Sequence, residues 1–383
     1  MNKFYKLILL IIVNNLLLIG CWNYKDINKM RFVAGIAVDY DKSKDEYIIT
    51  AEIASPQGSS TQIKREIFQS RGETAFDGVR DLIFKNGRKL FWAHTKVIIL
   101  GKSVVNKKLL SVLDYISRDA EFKDDIWLLV SKEESASKIY EIDYKKPQEI
   151  ISFNLDNVFK NSNRICTYYA VPLWRFMEIL QSEGASPTLP GVKIVEKEGK
   201  VFTQVEEIAV FKKDRIVGWL NTIESRSFLF LIDEIKGGVI TVDCDTSRGI
   251  VKVGLEVLDN NTKIKPVRSG NNLVVNIDIK LIVSIGEIGG DIDVISNKGR
   301  EKLKEDTENL IKKQVEDLIK KVQNQYKSDI FEFSKVINKK MPSVWKDIKP
   351  NWEEIFSNIK TKVNVKVTIK SSALTSRPIK VNY

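Results

Sequence analysis

The residue with the most readable chemistry in this sequence is Cys21. It follows Leu18-Ile19-Gly20, and the four positions together match the bacterial lipobox. In that pattern the thiol takes a diacylglyceryl group, the chain is cut after the small residue, and the new amino group of Cys21 is acylated. The residues ahead of it fit a secretory signal. Lys3 and Lys6 give a basic start, and Leu7 to Leu18 are apolar apart from Asn14 and Asn15. That run is too short to span a bilayer, which takes about 20 apolar residues. Residues 1–20 are therefore expected to be a lipoprotein signal peptide. The mature chain is expected to be held by membrane lipid at Cys21 on the outer face of a membrane, without crossing it. Each buried methylene contributes about 0.8 kcal/mol, so two or more acyl chains anchor stably where one does not.

Other reactive residues form weaker patterns. His94 is the one histidine, with apolar residues on both sides, and no partner base or metal ligand is spaced around it. It is expected to sit in or beside a strand, satisfied by a backbone carbonyl. Asp291 and Asp293 share a face of a strand-like segment, and a solvated strand edge explains them better than paired acid/base catalysis. Gly286, Gly289 and Gly290 do not fit a dinucleotide-binding glycine pattern and suggest a turn. Cys166 and Cys244 remain once Cys21 is committed to lipid. One bridge between them is chemically allowed in an exported chain, and spacing does not decide it. No GxSxG, HExxH, Walker A or EF-hand sequence is present. The sequence therefore offers no catalytic, cofactor-binding or metal-ligating residues, and the expectation is a protein that is not an enzyme.

Composition fits an ordinary globular protein: 43% hydrophobic and 29% charged over 383 residues. The formal charge of +11 falls to +9 when Lys3 and Lys6 leave with the signal. A basic balance suits an anionic membrane surface. Nucleic acid is not expected as a partner, because the chain is exported and its lysines alternate with acids.

These residues need elements to place them. Phe32–Val38 and Tyr47–Ile53 read as an antiparallel strand pair, followed by a strand at Glu66–Ser70. Helical spacing at Thr74–Phe84 stops at Asn86-Gly87. Val97–Leu100 and Ile126–Val130 read as buried strands. Helices are expected around Leu109–Ile116, Glu133–Ile139, Ile150–Phe159 and Leu173–Leu180. Ser182–Gly191, with two prolines, two glycines and two serines, reads as a linker. Ile208–Phe211 and Ile216–Leu220 flank a polar turn. A helix capped by Asn221 or Thr222 is expected to run to Ile235 and close at Gly237-Gly238. Period-2 alternation marks strands at Val251–Val257, Val275–Val283 and Val363–Ile369. Between the last two lies a long helix, Glu301–Tyr326, whose polar face offers i,i+4 pairs at Glu308–Lys312, Glu316–Lys320 and Asp317–Lys321. A second helix near Ile330–Ile337 should end at Pro342. Trp345 and Trp352 suit either an interface or the core. The expected fold is α+β in three mixed domains, the last an antiparallel sheet covered by long helices. The expected boundaries are 21–185, 186–248 and 249–383.

Several segments together carry a family resemblance. Gly20-Cys21-Trp22-Asn23, Ile27-Asn28 and Val33-Ala34-Gly35-Ile36-Ala37-Val38-Asp39 resemble the start of the Ger(x)C spore-germination lipoproteins. So do Gly87-Arg88-Lys89-Leu90-Phe91 with His94 and Val97–Gly101, and, in the middle, Glu206–Phe211, Asp214–Leu220 and Glu224-Ser225. Asn23 departs from the usual Asp, and Lys25-Asp26 from the usual Arg-Glu; neither touches Cys21. The resemblance implies the lipid-anchored C subunit of a nutrient germinant receptor in the spore inner membrane, assembled with integral membrane A and B subunits. It carries over one residue, Cys21, as the acylation site. The competing expectations are a solute-binding lipoprotein presenting a nutrient to a transporter and, more weakly, an envelope hydrolase.

Overall fold

The computed structural model describes residues 3–6, 8, 30–56, 63–87, 89–142, 149–246, 249–270, 272–290 and 296–372. Two sheets organise them. The first begins with β1 (Met30–Asp41), β2 (Glu46–Pro56) and β3 (Ile63–Gly72), paired antiparallel in sequence. Helix α1 (Ala75–Asn86) starts where the Thr74 side chain accepts from Asp77 N–H and ends at Gly87, whose φ of 63° only glycine adopts without strain. Strands β4 (Lys89–Phe91) and β5 (Val97–Leu100) both lie parallel to β1. Helices α2 (Lys102–Lys107) and α3 (Leu109–Arg118) then lead to β6 (Trp127–Ser131), parallel to β5.

Val97, Ile98, Ile99 and Leu100 are all fully buried because both faces of this sheet are covered. Ile98 and Leu100 face α1 to α3, and Val97 and Ile99 face the other layer. That layer holds α4 (Ile151–Lys160) and a single 3-10 turn, Ala136–Tyr140, where a helix from Glu133 was expected. The turn starts late because Asp39 of β1 accepts from Ala136 N–H at 2.8 Å and Ser137 N–H at 3.0 Å, which fixes its first residue.

Helix α5 (Leu173–Gln181) follows, and then a correction to the expected linker. Ser182–Gly191 is not a free connection. Gly184 packs against Trp345 and Trp352, Ser186 N–H donates to Asp329 O, and Thr188 opens a strand. Strands β7 (Thr188–Lys197), β8 (Lys200–Lys212) and β9 (Arg215–Leu220) extend the first sheet to the order β3-β2-β1-β5-β6-β7-β8-β9, with β4 beside β1. Hydrogen bonding therefore runs across the expected boundary at 185/186. The proline and glycine that suggested a linker mark a bulge instead: Pro190 pairs with Ile208 but Gly191 with Glu206, leaving Glu207 unpaired with a φ of 58°.

Helix α6 (Thr222–Leu231) carries a full capping box between Asn221 and Glu224. It stops at Ile232, ahead of the expected Ile235, because Asp233 turns to a φ of 61°. Phe230 O is then taken by Thr262 Oγ1 at 2.7 Å, so Gly237-Gly238 plays no part in closing the helix.

The second sheet is β10 (Val239–Thr246), β11 (Gly249–Ser269), β12 (Asn272–Ile288) and, last in the chain, a fourth strand. Its covering layer is α7 (Asn297–Lys321), a π-turn at Val322–Tyr326, then α8 (Phe333–Lys340), α9 (Pro342–Ile348) and α10 (Trp352–Asn358). Pro342 separates α8 from α9 by opening the latter, as expected of proline at a first helical position. The fourth strand, β13 (Lys360–Ser372), lies parallel to β12, so this sheet is mixed rather than wholly antiparallel. The helical layer carries the chain back to the end of the sheet where β12 starts, and a strand beginning there must run alongside it. The other deviation concerns α7. Among the described residues none of the three expected i,i+4 pairs forms. Lys321 reaches Glu224 at 2.8 Å, and Glu308 accepts from Val367 N–H at 2.8 Å.

The α+β class read from the sequence is the fold observed. Its most connected polar group is Glu52, fully buried on β2. One oxygen accepts from Arg65 Nε and Ile151 N–H, the other from Ser152 N–H and Oγ. Arg65 also donates to the carbonyls of Tyr140 and Ile142. Removing one partner of a buried ion pair costs about 3–5 kcal/mol, so Glu52→Ala should lower the unfolding free energy by about that much and move the urea midpoint down by that amount divided by the m-value. Gly35→Ala should act on the same place, because a Cβ there overlaps Ser152 Oγ and meets Tyr140 Oη at 2.5 Å. A midpoint unchanged in both variants would show that this network does not hold α4 to the sheet.

Candidate functional site

Cys21, Asp291 and Asp293 lie outside the described residues. His94 is exposed in the turn after β4, its ring 5.5 Å from that of Phe32 and 5.4 Å from that of Phe91, and so lies beside a strand on aromatic neighbours. Cys166 and Cys244 are both buried free thiols. Cys166 packs against Gly238 and donates to Val239 O at 3.6 Å, and burial raises the Cys244 thiol. Trp345 and Trp352 belong to the core, stacked edge to face at 5.3 Å. Of the described residues singled out by sequence, His94 thus lies at the first sheet and Cys166, Cys244, Trp345 and Trp352 in the core of the second.

What the fold does assemble is a seam between the first sheet and the helices of the second. On one side of it lies a cleft of about 690 Å³, walled by α5, the end of α6, β11 and α8. Arg175 of α5 binds Glu178 in its own helix and Glu332 across the seam, and Lys335 binds Glu178 at 2.8 Å. Lys335, first among its neighbours, holds the Glu178 carboxyl below its ordinary range. Deeper in, Tyr169 Oη shares a 2.7 Å hydrogen bond with Thr188 Oγ1, and burial pushes the phenol up. Glu234 stands at the mouth with no cation paired to it among the described residues, and desolvation raises its carboxyl. These partners are up to 157 residues apart, so no local motif announces them. Among the described residues there is no cluster of three or more His, Cys, Asp or Glu side chains for a metal ion. No described helix is long and apolar enough to cross a membrane.

The seam turns on Asp329, which is buried between the two sides. Its carboxylate accepts from Phe333 N–H at 3.0 Å and Ser334 N–H at 2.8 Å, capping α8 from within the chain. Its backbone pairs with Ala185 and Ser186 of the first region. Desolvation outweighs those two donors and lifts the carboxyl to about 6.

Two family models cover most of this chain. The one described as "Spore germination protein N-terminal domain" matches residues 23–194, and "Spore germination B3/ GerAC like, C-terminal" matches 206–373. The chain belongs to the Ger(x)C family of spore-germination proteins. Ger(x)C relatives align along nearly its whole length. Spore germination protein B3 of Bacillus subtilis (strain 168) is 26% identical, covering 92% of this chain and 94% of the relative. Spore germination protein KC of the same organism is 21% identical, covering 98% of each. Spore germination protein GerQC of Bacillus cereus is 22% identical, covering 96% and 99%. The crystal structure of the GerBC protein superposes with a TM-score of 0.59 at 22% identity, over 90% of this chain and 99% of that one, and so shares the fold. The gap between the two family models, residues 195–205, falls on the β7–β8 hairpin of the continuous first sheet.

Asp329 gives this Ger(x)C seam a pH dependence. A carboxyl raised in the folded state favours the fold when protonated. Its contribution is complete below the ordinary value of 3.8 and is lost as pH rises through about 6. The full swing is about 3 kcal/mol. In Asp329→Asn this contribution should vanish. The wild-type urea midpoint should therefore fall more steeply than the variant's between pH 4 and pH 7, and parallel slopes would contradict the assignment.

Proposed function

We propose that this Ger(x)C protein is the lipid-anchored C subunit of a nutrient germinant receptor. In this reading Cys21 carries the diacylglyceryl and N-acyl groups, and the folded part sits on the outer face of the spore inner membrane. There it assembles with integral membrane A and B subunits and serves the response that triggers germination, without catalysing a reaction. The observation that carries the proposal is a lipobox cysteine placed just ahead of a near-complete Ger(x)C match, which begins at residue 23. The construction of the seam supports it. Its ion pairs and caps serve to hold two sheets in a fixed relation.

The solute-binding alternative has one observation in its favour, the 690 Å³ cleft with Glu234 at its mouth. Saturable binding of a single nutrient by the isolated protein would select it over the receptor reading.

Spores carrying Cys21→Ala test the proposal. They should lose nutrient-triggered dipicolinic acid release for one nutrient class and keep pressure-triggered release. The strain should lack other receptors, so that redundancy does not mask the loss. Normal release to every nutrient in that background, with the whole gene also deleted, would exclude the germination role.

A further inference from the structure

The described part of the first sheet begins at Met30, where β1 starts, nine residues after Cys21. We propose that the end of the first sheet at which β1 begins rests on an anionic bilayer surface, with the Phe84 side chain entering it. The inference rests on the acylation of Cys21 proposed above. Phe84 is 86 % exposed, the most exposed large hydrophobic side chain among the described residues. It lies in the last turn of α1, whose Ala75, Val79 and Leu82 are anchored in the core, and Gly87 N–H closes that turn on Ile83 O. Phe84 is therefore presented by a fixed helix end.

That helix end is beside the start of β1. The chain after α1 enters β4, where Lys89 pairs with Met30 and Phe91 with Phe32. On the other side of β1, Phe32 pairs with Ala54, and two residues further on Pro56 pairs with Ile63, which is 40 % exposed. The rings of Phe32, Phe91 and His94 cluster at the same end. Arg31 and Lys64 stand at that end on the one carboxylate of Glu66, which leaves an excess of positive charge there. Apolar side chains beside that positive charge suit acyl chains below and anionic headgroups around them.

Chain length decides between the two ends of the sheet. From Cys21 to Met30 there are nine peptide steps, each spanning at most about 3.6 Å, a reach of about 32 Å. β1 has 12 residues at about 3.3 Å each, so its far end is about 36 Å from Met30. A domain standing on the far end, at the Asp41–Glu46 turn, would hold Met30 beyond the reach of its anchor. Standing on the near end, it leaves the connection slack.

The test uses the full-length acylated protein in vesicles of phosphatidylglycerol and phosphatidylethanolamine. An environment-sensitive fluorophore is placed on Phe84→Cys or, at the far turn, on Lys44→Cys; the native thiols Cys166 and Cys244 are buried and spared. The label at 84 should shift to the blue on reconstitution and be quenched by brominated lipid, while the label at 44 stays as in water. Acylation is read separately from the mass of the N-terminal fragment. An acylated protein whose label at 84 stays water-like overturns the inference. So does a shift at 84 that appears only when the A and B subunits are added, which would make this end a protein interface. A protein without acyl chains that still shows the shift at 84 would refute the anchor and keep the membrane-facing end. One with neither would refute both.

Discussion

β8 is the strand on which the two halves of this molecule depend, because along Ile208–Phe211 both of its faces are buried, each in a different core. Ala209 and Phe211 pack with Phe176, Leu189 and the helices over the first sheet. Ile208, Val210 and the neighbouring Leu220 pack with Phe228, Phe331 and the helices over the second. Full burial of each large apolar side chain contributes about 1.5–3 kcal/mol, so the strand is stabilised from two directions at once. A sheet with one wet face cannot do this. The second sheet, with Lys252 and Glu256 turned to solvent on either side of the buried Val253 and Leu255, meets its helices on one side only.

Close approach at β9 follows from the same arrangement. Gly218 lies directly under the Tyr326 ring, whose hydroxyl donates to Trp219 O at 2.9 Å, and Gly191 lies under the Trp219 ring. Any side chain at Gly218 would displace Tyr326 and the π-turn that carries it. In that π-turn the Gln323 amide donates to Phe356 O and Ile359 O, at the end of α10 where β13 begins. The first sheet, the π-turn and the last strand are thereby coupled through side chains from three parts of the chain.

Burying this much backbone leaves helix ends that water does not reach, and carboxylates satisfy them, two from strands distant in sequence and one from the turn just ahead of its helix. Asp39 serves the 3-10 turn at Ala136, Glu52 serves α4, and Asp329 serves α8. Each stands where Ala, Ile or Phe is the first helical residue, and at α4 and α8 the residue directly before the helix, Ile150 or Glu332, supplies no side-chain cap. The cost of an unsatisfied buried N–H, about 1–3 kcal/mol, explains why charged residues occupy such deep positions. A role in chemistry is not needed to account for them.

The sequence by itself determined the local elements with strong periodicity. Alternation placed β11, β12 and β13, and the Thr74 and Gly87 signals bounded α1. Each of these depends on residues within a few positions of one another. Tertiary structure decided what depends on distant partners. The prolines and glycines of Ser182–Gly191 read as a linker because a bulge and a tight packing site use the same residues as a flexible loop. The lysines of α7 read as partners of acids one turn away, whereas Lys321 found Glu224 in another helix. The seam and its cleft were invisible for the same reason. Arg175 and Glu332, or Glu52 and Ser152, meet only after the sheets have formed, and the sequence carries no periodicity across 100 or more residues to announce them.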